Sequence, residues 1–339
     1  MPYRSGFVTV IGRPNVGKST LVNRISGQKI SIVSDKPQTT RNRIMAVVSG
    51  DGYQIVFLDT PGIHKPRHRL GEFMLNAVRQ SLEEVDLVLM VVEAHVRPGP
   101  GDHYVAAEAE KAGTACLLVV NKVDLVSAGE AEVACRAYGE LGRFASVLPV
   151  SAARGDNLDE LTRAIIAHLP EGPQYYPEDT VTDQPERFVV AELVREKVFE
   201  LTRDEVPHSV AVTVDEMTLR GRPFESSDQD ADADEDVDED SDAGSDADAG
   251  EVGEDAVAGG KGEAGKVYVK ATIHVEKDSQ KGIIIGAKGR MLREIGQRAR
   301  IDTERLLGSP VFLELWVKVN KGWRNEEAAL RRLGYHEER

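Results

Sequence analysis

The chain is poor in cysteine, in long apolar runs and, over one internal stretch, in positive charge. Its two cysteines, Cys116 and Cys135, are too few for a disulfide framework, which fits a reducing compartment. No run of about 18 apolar residues is present, which argues against a membrane-spanning helix. The first residues lead directly into an apolar strand pattern and do not resemble a signal peptide. These absences predict a cytoplasmic location.

Lysine and arginine are missing from residues 225 to 258, which contain 16 aspartates and glutamates. This stretch accounts for the net charge of −15, because the remaining chain carries 42 basic and 41 acidic residues. Residues 266 to 339, by contrast, contain 16 basic and 10 acidic residues. We therefore expect the C-terminal part to bind a polyanionic partner.

Residues 7 to 170 alternate short apolar runs with helical patterns. The six predicted strands are 7–11, 44–48, 54–58, 87–92, 115–120 and 147–150. This alternation predicts a mostly parallel six-stranded sheet with helices on both faces, and a hairpin signal at 49–53 predicts one antiparallel edge strand. Ligands of such sheets bind at the carboxyl ends of the strands.

Residues 12 to 20, Gly-Arg-Pro-Asn-Val-Gly-Lys-Ser-Thr, fit the G-x-x-x-x-G-K-[ST] pattern of a phosphate-binding loop. The glycines let backbone N–H groups turn toward an anion at a helix N-terminus. Lys18 is expected to reach the β- and γ-phosphates, and the Ser19 hydroxyl to bind Mg²⁺. The predicted nucleotide-binding residues of this loop are Gly12, Asn15, Val16, Gly17, Lys18, Ser19 and Thr20.

Asp-Thr-Pro-Gly at residues 59 to 62 follows the third strand, at the same edge of the predicted sheet. A carboxylate here can support Mg²⁺, so Asp59 is a candidate ligand. Gly62 can offer its N–H to the γ-phosphate because no Cβ blocks the approach.

Asn121-Lys122-Val123-Asp124 follows the fifth strand. The Asp124 carboxylate can accept both N1–H and N2–H of guanine, which adenine cannot supply, so GTP is favoured over ATP. Asn121 is expected to support the base edge and the Lys122 stem to pack on its face. Ser151 and Ala152 follow the sixth strand, in the right place for contact with the guanine oxygen.

Together these four segments resemble the translation-factor-like GTPases over residues 5 to 170. The resemblance implies that a threonine of the polar loop 34–42 ligates Mg²⁺ when the triphosphate is bound. Thr40 is the first choice for this ligand and Thr39 the alternative. The expected metal ligands are thus Ser19, Thr40 and Asp59, with Mg²⁺ and GTP or GDP as cofactor and nucleotides.

Ile63 occupies the position at which Ras-like GTPases carry a glutamine that orients the attacking water. Isoleucine cannot hydrogen-bond that water, so either turnover is slow or another group assists. In a related subgroup, an asparagine at the position of Asn15 ligates a potassium ion that could replace an arginine finger. The expected catalytic residues are therefore Lys18, Thr40, Gly62 and Asn15.

Residues 171 to 187 contain several prolines and few apolar positions, which predicts a linker. Beyond it, the patterns predict a helix at 188–202, strands at 210–217 and 267–276, a helix at about 290–306 and a last strand at 311–319. The acidic stretch interrupts this region as an insertion at 222–265, whose composition predicts disorder. It is interpreted as a solvated loop or, alternatively, as a competitor of RNA for basic residues.

This order of elements resembles a type II K-homology domain, whose mark is a Gly-x-x-Gly loop, here at 286–289. Such a loop lets the backbone approach a nucleic acid, while Lys288 adds charge and the preceding isoleucines line an apolar face for bases. The predicted RNA-binding residues are Ile283, Ile284, Ile285, Gly286, Ala287, Lys288, Gly289, Arg290 and Arg293.

A GTPase domain at 5–170, a linker at 171–187 and a K-homology domain at 188–339 resemble bacterial ribosome-assembly GTPases of the TrmE-Era-like family. The resemblance implies Mg²⁺-dependent GTP hydrolysis and binding of 16S ribosomal RNA near its 3′ end in 30S subunit assembly. It also implies that the nucleotide state controls the domain arrangement of a monomer that associates peripherally with the membrane. The alternatives are a nucleotide-sensing RNA chaperone with negligible turnover and a membrane-associated cell-cycle regulator.

Overall fold

The computed structural model describes residues 2–219 and 266–335, apart from Asp35, Pro37, Gln38, Arg67, Glu84, Asp204 and Glu205. The acidic insertion predicted at 222–265 lies outside the described residues. Two sheets organise the described chain, one of six strands and one of three. Among the described helices, none has both the length and the apolar character needed to cross a membrane.

The first sheet confirms the predicted α/β architecture. Its strands are β1 (Arg4–Gly12), β2 (Ile44–Gly50), β3 (Tyr53–Asp59), β4 (Leu87–Glu93), β5 (Ala115–Asn121) and β6 (Ser146–Pro149). The spatial order is β2-β3-β1-β4-β5-β6, with β2 antiparallel to β3 and the other neighbours parallel. The carboxyl ends of β1, β3, β4 and β5 therefore meet at one edge.

Five helices cover both faces of this sheet, which explains why its strands are nearly continuous apolar runs. They are α1 (Lys18–Ser26), α2 (Arg69–Glu83), α3 (Pro100–Lys111), α4 (Ala128–Gly139) and α5 (Leu158–His168). Helices α1 and α5 share one core, and α2, α3 and α4 share the other. Cys116 is buried in the second core, where burial raises the pKa of its thiol to about 12.

The proline-rich segment predicted as a linker lies along the β2 edge of the first sheet. The buried Gln54 side chain accepts hydrogen bonds from the backbone N–H groups of Tyr175 and Tyr176, at 2.9 and 3.0 Å. Farther along, the Val47 N–H donates to the Val181 carbonyl at 2.9 Å. The segment is thus attached to the first sheet through most of its length.

The second sheet confirms the predicted type II K-homology order of helix, strand, strand, helix, helix and strand. Its elements are α6 (Glu186–Leu201), β7 (Ala211–Leu219), β8 (Val267–Val275), α7 (Asp278–Ile285), α8 (Arg290–Leu307) and β9 (Val311–Val319), followed by α9 (Glu327–Arg332). Strand β8 is central, antiparallel to β7 and parallel to β9. The odd-numbered side chains of β8 and β9 pack against α6, α7 and α8.

Candidate functional site

The phosphate loop connects β1 to α1 and packs tightly against the other motifs at the sheet edge. Gly17 precedes the first residue of α1 with a φ of +99°, and a Cβ there would lie 2.2 Å from Nδ2 of Asn121. A Cβ on Gly62 would lie 2.7 Å from Cα of Pro14. Both positions therefore require glycine, and the loop is held by the segments that follow β3 and β5.

Lys18 is the buried cation of the phosphate loop. Its ammonium donates hydrogen bonds to the carbonyls of Gly12 and Arg13, at 3.4 and 3.2 Å. Burial lowers the pKa of Lys18 to about 8, although the nearby Asp59 carboxylate acts in the opposite direction. A polyphosphate in this loop would supply the anion that the ammonium lacks.

Asp59 lies fully buried at the end of β3. Burial raises the pKa of Asp59, while Lys18 and the hydroxyls of Ser19, Ser31 and Thr40 lower it. Within the described part of the chain, neither carboxylate oxygen has a hydrogen-bond partner of good geometry. A buried, unpartnered carboxylate beside hydroxyl groups is a ligand set that fits Mg²⁺, which prefers oxygen ligands.

The two candidate threonines of the loop 34–42, which we call the first switch, point in different directions. The Thr40 hydroxyl lies 2.9 Å from the Ser19 hydroxyl, beside the phosphate loop. The Thr39 hydroxyl instead donates to the Lys36 carbonyl at 2.7 Å. Only Thr40 therefore shares a metal-binding environment with Ser19 and Asp59.

The segment Asn121 to Asp124 connects three loops of the site. The Asn121 side-chain amide donates to the Val16 carbonyl at 2.8 Å, and its oxygen accepts from the Ala152 N–H at 2.9 Å. Asn121 thus positions the phosphate loop and the 151–152 segment relative to each other. The Asp124 carboxylate accepts a 2.6 Å hydrogen bond from the Ser151 hydroxyl, which orients it at the sheet edge.

Lys122 has a partner that the sequence reasoning missed. Its ammonium donates to the Asn15 carbonyl at 2.8 Å and forms a salt bridge with Glu93, the last residue of β4. The sequence contained a cue for this contact, because Glu93 ends a strand at the same edge of the sheet as Asp59 and Asn121. Asn15 itself has a left-handed φ of +66°, so the loop places its side chain through an unusual backbone conformation.

Ile63 is part of a hydrophobic core. Its side chain is buried in the core with Ile11 and Val78, and its N–H donates to the Gly12 carbonyl at 3.0 Å. The residue that replaces the Ras-type glutamine thus has a structural role. Thr20 lies in α1, two residues after the buried Lys18.

The first switch is bound to the second domain on both sides of Thr40. Arg195 of α6 donates to the Thr39 carbonyl. The buried Arg41 guanidinium donates to the carbonyls of Val210 at 2.6 Å and Pro207 at 3.3 Å. The candidate metal ligand is therefore flanked by two residues held by the K-homology domain.

Arg41 also reaches the C-terminal segment. Its guanidinium carbon lies 5.7 Å from the ring centroid of Trp323 and 5.9 Å from that of Tyr335. Leu70 and Met74 of α2, the helix that follows the Asp59–Gly62 segment, pack into the same cluster. The first switch and helix α2 thus contact the second domain at one place.

The Gly-x-x-Gly loop joins α7 to α8, and Lys288 within it has a left-handed φ of +53°. The exposed residues around it are Ala287, Lys288, Arg290 and Arg293, while Gly286 and Gly289 are half-buried. The three preceding isoleucines do not share one face, because they lie on a helix whose side chains turn by about 100° per residue. Ile284 is buried in the core, Ile283 is half exposed and Ile285 is intermediate.

The fold and this constellation define a P-loop GTPase joined to a K-homology domain. Family models agree: residues 7–122 match the family described as 50S ribosome-binding GTPase, and residues 255–324 match the KH domain. The chain is 47% identical over 335 residues to the GTPase Era of Alkaliphilus metalliredigens, covering 99% of this chain and all of that protein. It therefore belongs to the Era family of GTPases.

Further relatives agree with this assignment. The GTPase Era of Carboxydothermus hydrogenoformans is 47% identical over 337 residues, or 99% of each chain. A crystal structure of Era in complex with MgGDPNP and nucleotides 1506–1542 of 16S ribosomal RNA is 36% identical, with a TM-score of 0.84 over 99% of this chain and all of that one. A variant of Aquifex aeolicus Era bound to GDP·AlF4⁻ is 36% identical with a TM-score of 0.83, over 98% and 100% of the two chains.

The depressed pKa of Lys18 predicts proton uptake on nucleotide binding. A bound polyphosphate stabilises the ammonium and raises its pKa, so GDP binding at about pH 8.5 should take up as much as about one proton. At about pH 6.5 the free protein already carries the proton, and the Lys18 contribution should vanish. Calorimetry in buffers of different ionisation enthalpy measures this number. A Lys18→Arg variant that still binds GDP should show no uptake; equal uptake in both proteins would contradict the prediction.

Proposed function

We propose that this GTPase binds 16S ribosomal RNA near its 3′ end and acts in assembly of the 30S subunit. Residues 5–170 form the nucleotide-binding domain and residues 188–339 the RNA-binding domain in this proposal. The RNA partner is supported by the matching Era structure in complex with nucleotides 1506–1542 of 16S ribosomal RNA. Coupling between the two domains is supported by the position of Thr40, whose neighbours Thr39 and Arg41 are both bound by the second domain. A rearrangement of Thr40 on nucleotide exchange would therefore act directly on the RNA-binding domain.

We infer that hydrolysis proceeds by attack of water on the γ-phosphate, aided by positioning and charge neutralisation. Lys18 neutralises the β- and γ-phosphates, and the Gly62 N–H donates to the γ-phosphate. Ser19, Thr40 and Asp59 would hold Mg²⁺, which neutralises charge on the phosphates when bound. Asp124 recognises the guanine edge, with Asn121 and Ser151 fixing the loops around it.

The different orientations of the two threonines give a matched pair of variants. Thr40→Val removes the hydroxyl beside Ser19 and should weaken binding of Mg²⁺ with a GTP analogue by about tenfold to hundredfold. Thr39→Val loses only a hydrogen bond to Lys36 and should change this affinity much less. Titration with a fluorescent GTP analogue at fixed Mg²⁺ measures both. A larger loss for Thr39→Val would reverse the assignment.

We propose that Asn15 supplies an oxygen ligand to a potassium ion, since the buried Ile63 offers no polar group to the reaction. Turnover should then be higher in potassium than in sodium, by about tenfold or more. The Asn15→Gly variant keeps the left-handed backbone without its side chain and should lose this preference. Equal turnover of the unaltered protein in the two salts would contradict the proposal.

The decisive experiment measures GTP turnover in potassium buffer with and without 16S 3′-end RNA. We expect RNA to stimulate turnover, and Arg41→Ala or Arg41→Lys to abolish this stimulation while RNA binding remains, because the variant disconnects the switch from the second domain. Arg143→Ala, which removes an exposed cation between α4 and β6 of the GTPase domain, is the control and should keep the stimulation.

Two other outcomes of that experiment have a definite meaning. Tight RNA binding without any change in turnover would favour a nucleotide-sensing RNA chaperone with negligible hydrolysis. Failure to bind the RNA would overturn the RNA-binding assignment. We also infer a cytoplasmic monomer; peripheral membrane association rests on the family resemblance, and sedimentation with lipid vesicles tests it.

A further inference from the structure

Within the described chain, the face of the three-stranded sheet opposite α6, α7 and α8 is covered by α9 only at the end that carries Ala211, the partner of His274 in the β7–β8 pairing. The odd-numbered side chains of β8 and β9 point into the core beneath α6, α7 and α8. By the alternation of a strand, the even-numbered side chains point to the opposite face. On this side Thr272 and His274 are buried. The remaining residues, which we call the open face, are Tyr268 and Lys270 of β8 and Phe312, Glu314, Trp316 and Lys318 of β9.

The open face carries large aromatic rings in solvent. Phe312 is 49% exposed and Trp316 is 56% exposed. They lie four residues apart on β9, so they are separated by about 13 Å along the same side of the strand. Tyr268 lies beside Phe312 on the neighbouring strand, with ring centroids 5.9 Å apart and planes inclined by 14°. Exposed aromatic rings grouped in this way are typical of a binding surface.

Each exposed ring has a lysine ammonium close to it. Lys266 lies 5.4 Å from the ring centroid of Phe312, and Lys270 lies 5.6 Å from that of Trp316. Lys318 extends the positive charge along β9, where it is exposed. The alternation of aromatic rings and lysines matches surfaces that stack bases and neutralise the phosphates between them.

The Glu314 carboxylate between these rings is already engaged, and exposed Glu216 of β7 lies opposite Lys270 at the side of the open face. Glu314 accepts hydrogen bonds of 2.5 Å from the Tyr268 hydroxyl and from Nε1 of Trp316. These two hydrogen bonds lower the pKa of Glu314 and fix the orientation of both rings. The aromatic surface is therefore held in place before any ligand arrives, which reduces the entropy lost on binding.

We propose that the open face is a second RNA-binding surface, which stacks bases of single-stranded RNA on Phe312 and Trp316 with little sequence preference. The proposal rests on the proposed RNA-binding function and extends it to a surface distinct from the Gly-x-x-Gly loop. That loop joins α7 and α8, which cover the other face of the same sheet. RNA is favoured over a protein partner because the rings are interleaved with lysines rather than surrounded by further apolar side chains.

Tryptophan fluorescence tests this proposal on the full chain. The protein has two tryptophans, of which Trp323 is buried and Trp316 is exposed on the open face. An oligoadenylate of about 12 nucleotides should quench Trp316 at low salt, and added salt should weaken the binding. Phe312→Ala should reduce the affinity measured by this quenching by about tenfold or more. Tyr104→Ala, which removes a partly exposed ring on α3, should leave it unchanged.

A second variant separates this surface from the Gly-x-x-Gly loop. Lys288→Glu combined with Arg290→Glu should abolish binding of 16S 3′-end RNA, followed by anisotropy of the labelled RNA, and leave oligoadenylate quenching of Trp316 in place. Loss of quenching in this variant would overturn the proposal, because the signal would then belong to the loop. Failure of 3′-end RNA to bind the unaltered protein, with quenching retained, would refute the proposed function and support the open face.

Absence of quenching by any RNA at low salt would also overturn the proposal. If Trp316 then became buried on addition of ribosomal proteins, the open face would be a protein-docking surface.

Discussion

A buried positive charge, the guanidinium of Arg41, joins the nucleotide-binding half of the molecule to the half with the Gly-x-x-Gly loop. Removing such a group from water is unfavourable unless hydrogen bonds replace the lost solvent. The described acceptors are two backbone carbonyls and the Tyr335 hydroxyl, and the Trp323 and Tyr335 rings flank the charge. Burial lowers the pKa of Arg41, because removal from water disfavours the charged guanidinium.

This arrangement makes the two halves dependent on each other. The switch conformation that places Arg41 is stable only while the carbonyls of Pro207 and Val210 are in position to accept its hydrogen bonds. Coupling of this kind is reciprocal: whatever free energy a nucleotide transmits to the RNA-binding domain, RNA transmits back to the nucleotide. The packing of α2 against the same C-terminal cluster adds a second route between the domains.

Much of the nucleotide site could be predicted from the sequence because its motifs are short and contiguous. The phosphate loop, Asp59 and Asn121 each end a strand, and a parallel sheet brings strand ends together without further information. The role of Arg41 could not be predicted, because its partners lie about 170 to 290 residues away in the chain. The different orientations of Ile283 and Ile284 needed the helix to be located first. The open face could have been predicted from the alternating pattern of β9, because Phe312, Trp316 and Lys318 all occupy even positions and so lie on one side of the strand.

The attachment of the segment after α5 to the edge of the first sheet has two consequences. Edge strands expose unpaired backbone groups that invite pairing with other chains, and the Val47–Val181 hydrogen bond occupies part of that edge. The bound segment also leaves only a short free tether before α6 begins at Glu186. A short tether keeps the second domain at a high effective concentration beside the switches. If the Arg41 contacts break, the domains should therefore rejoin quickly instead of drifting apart.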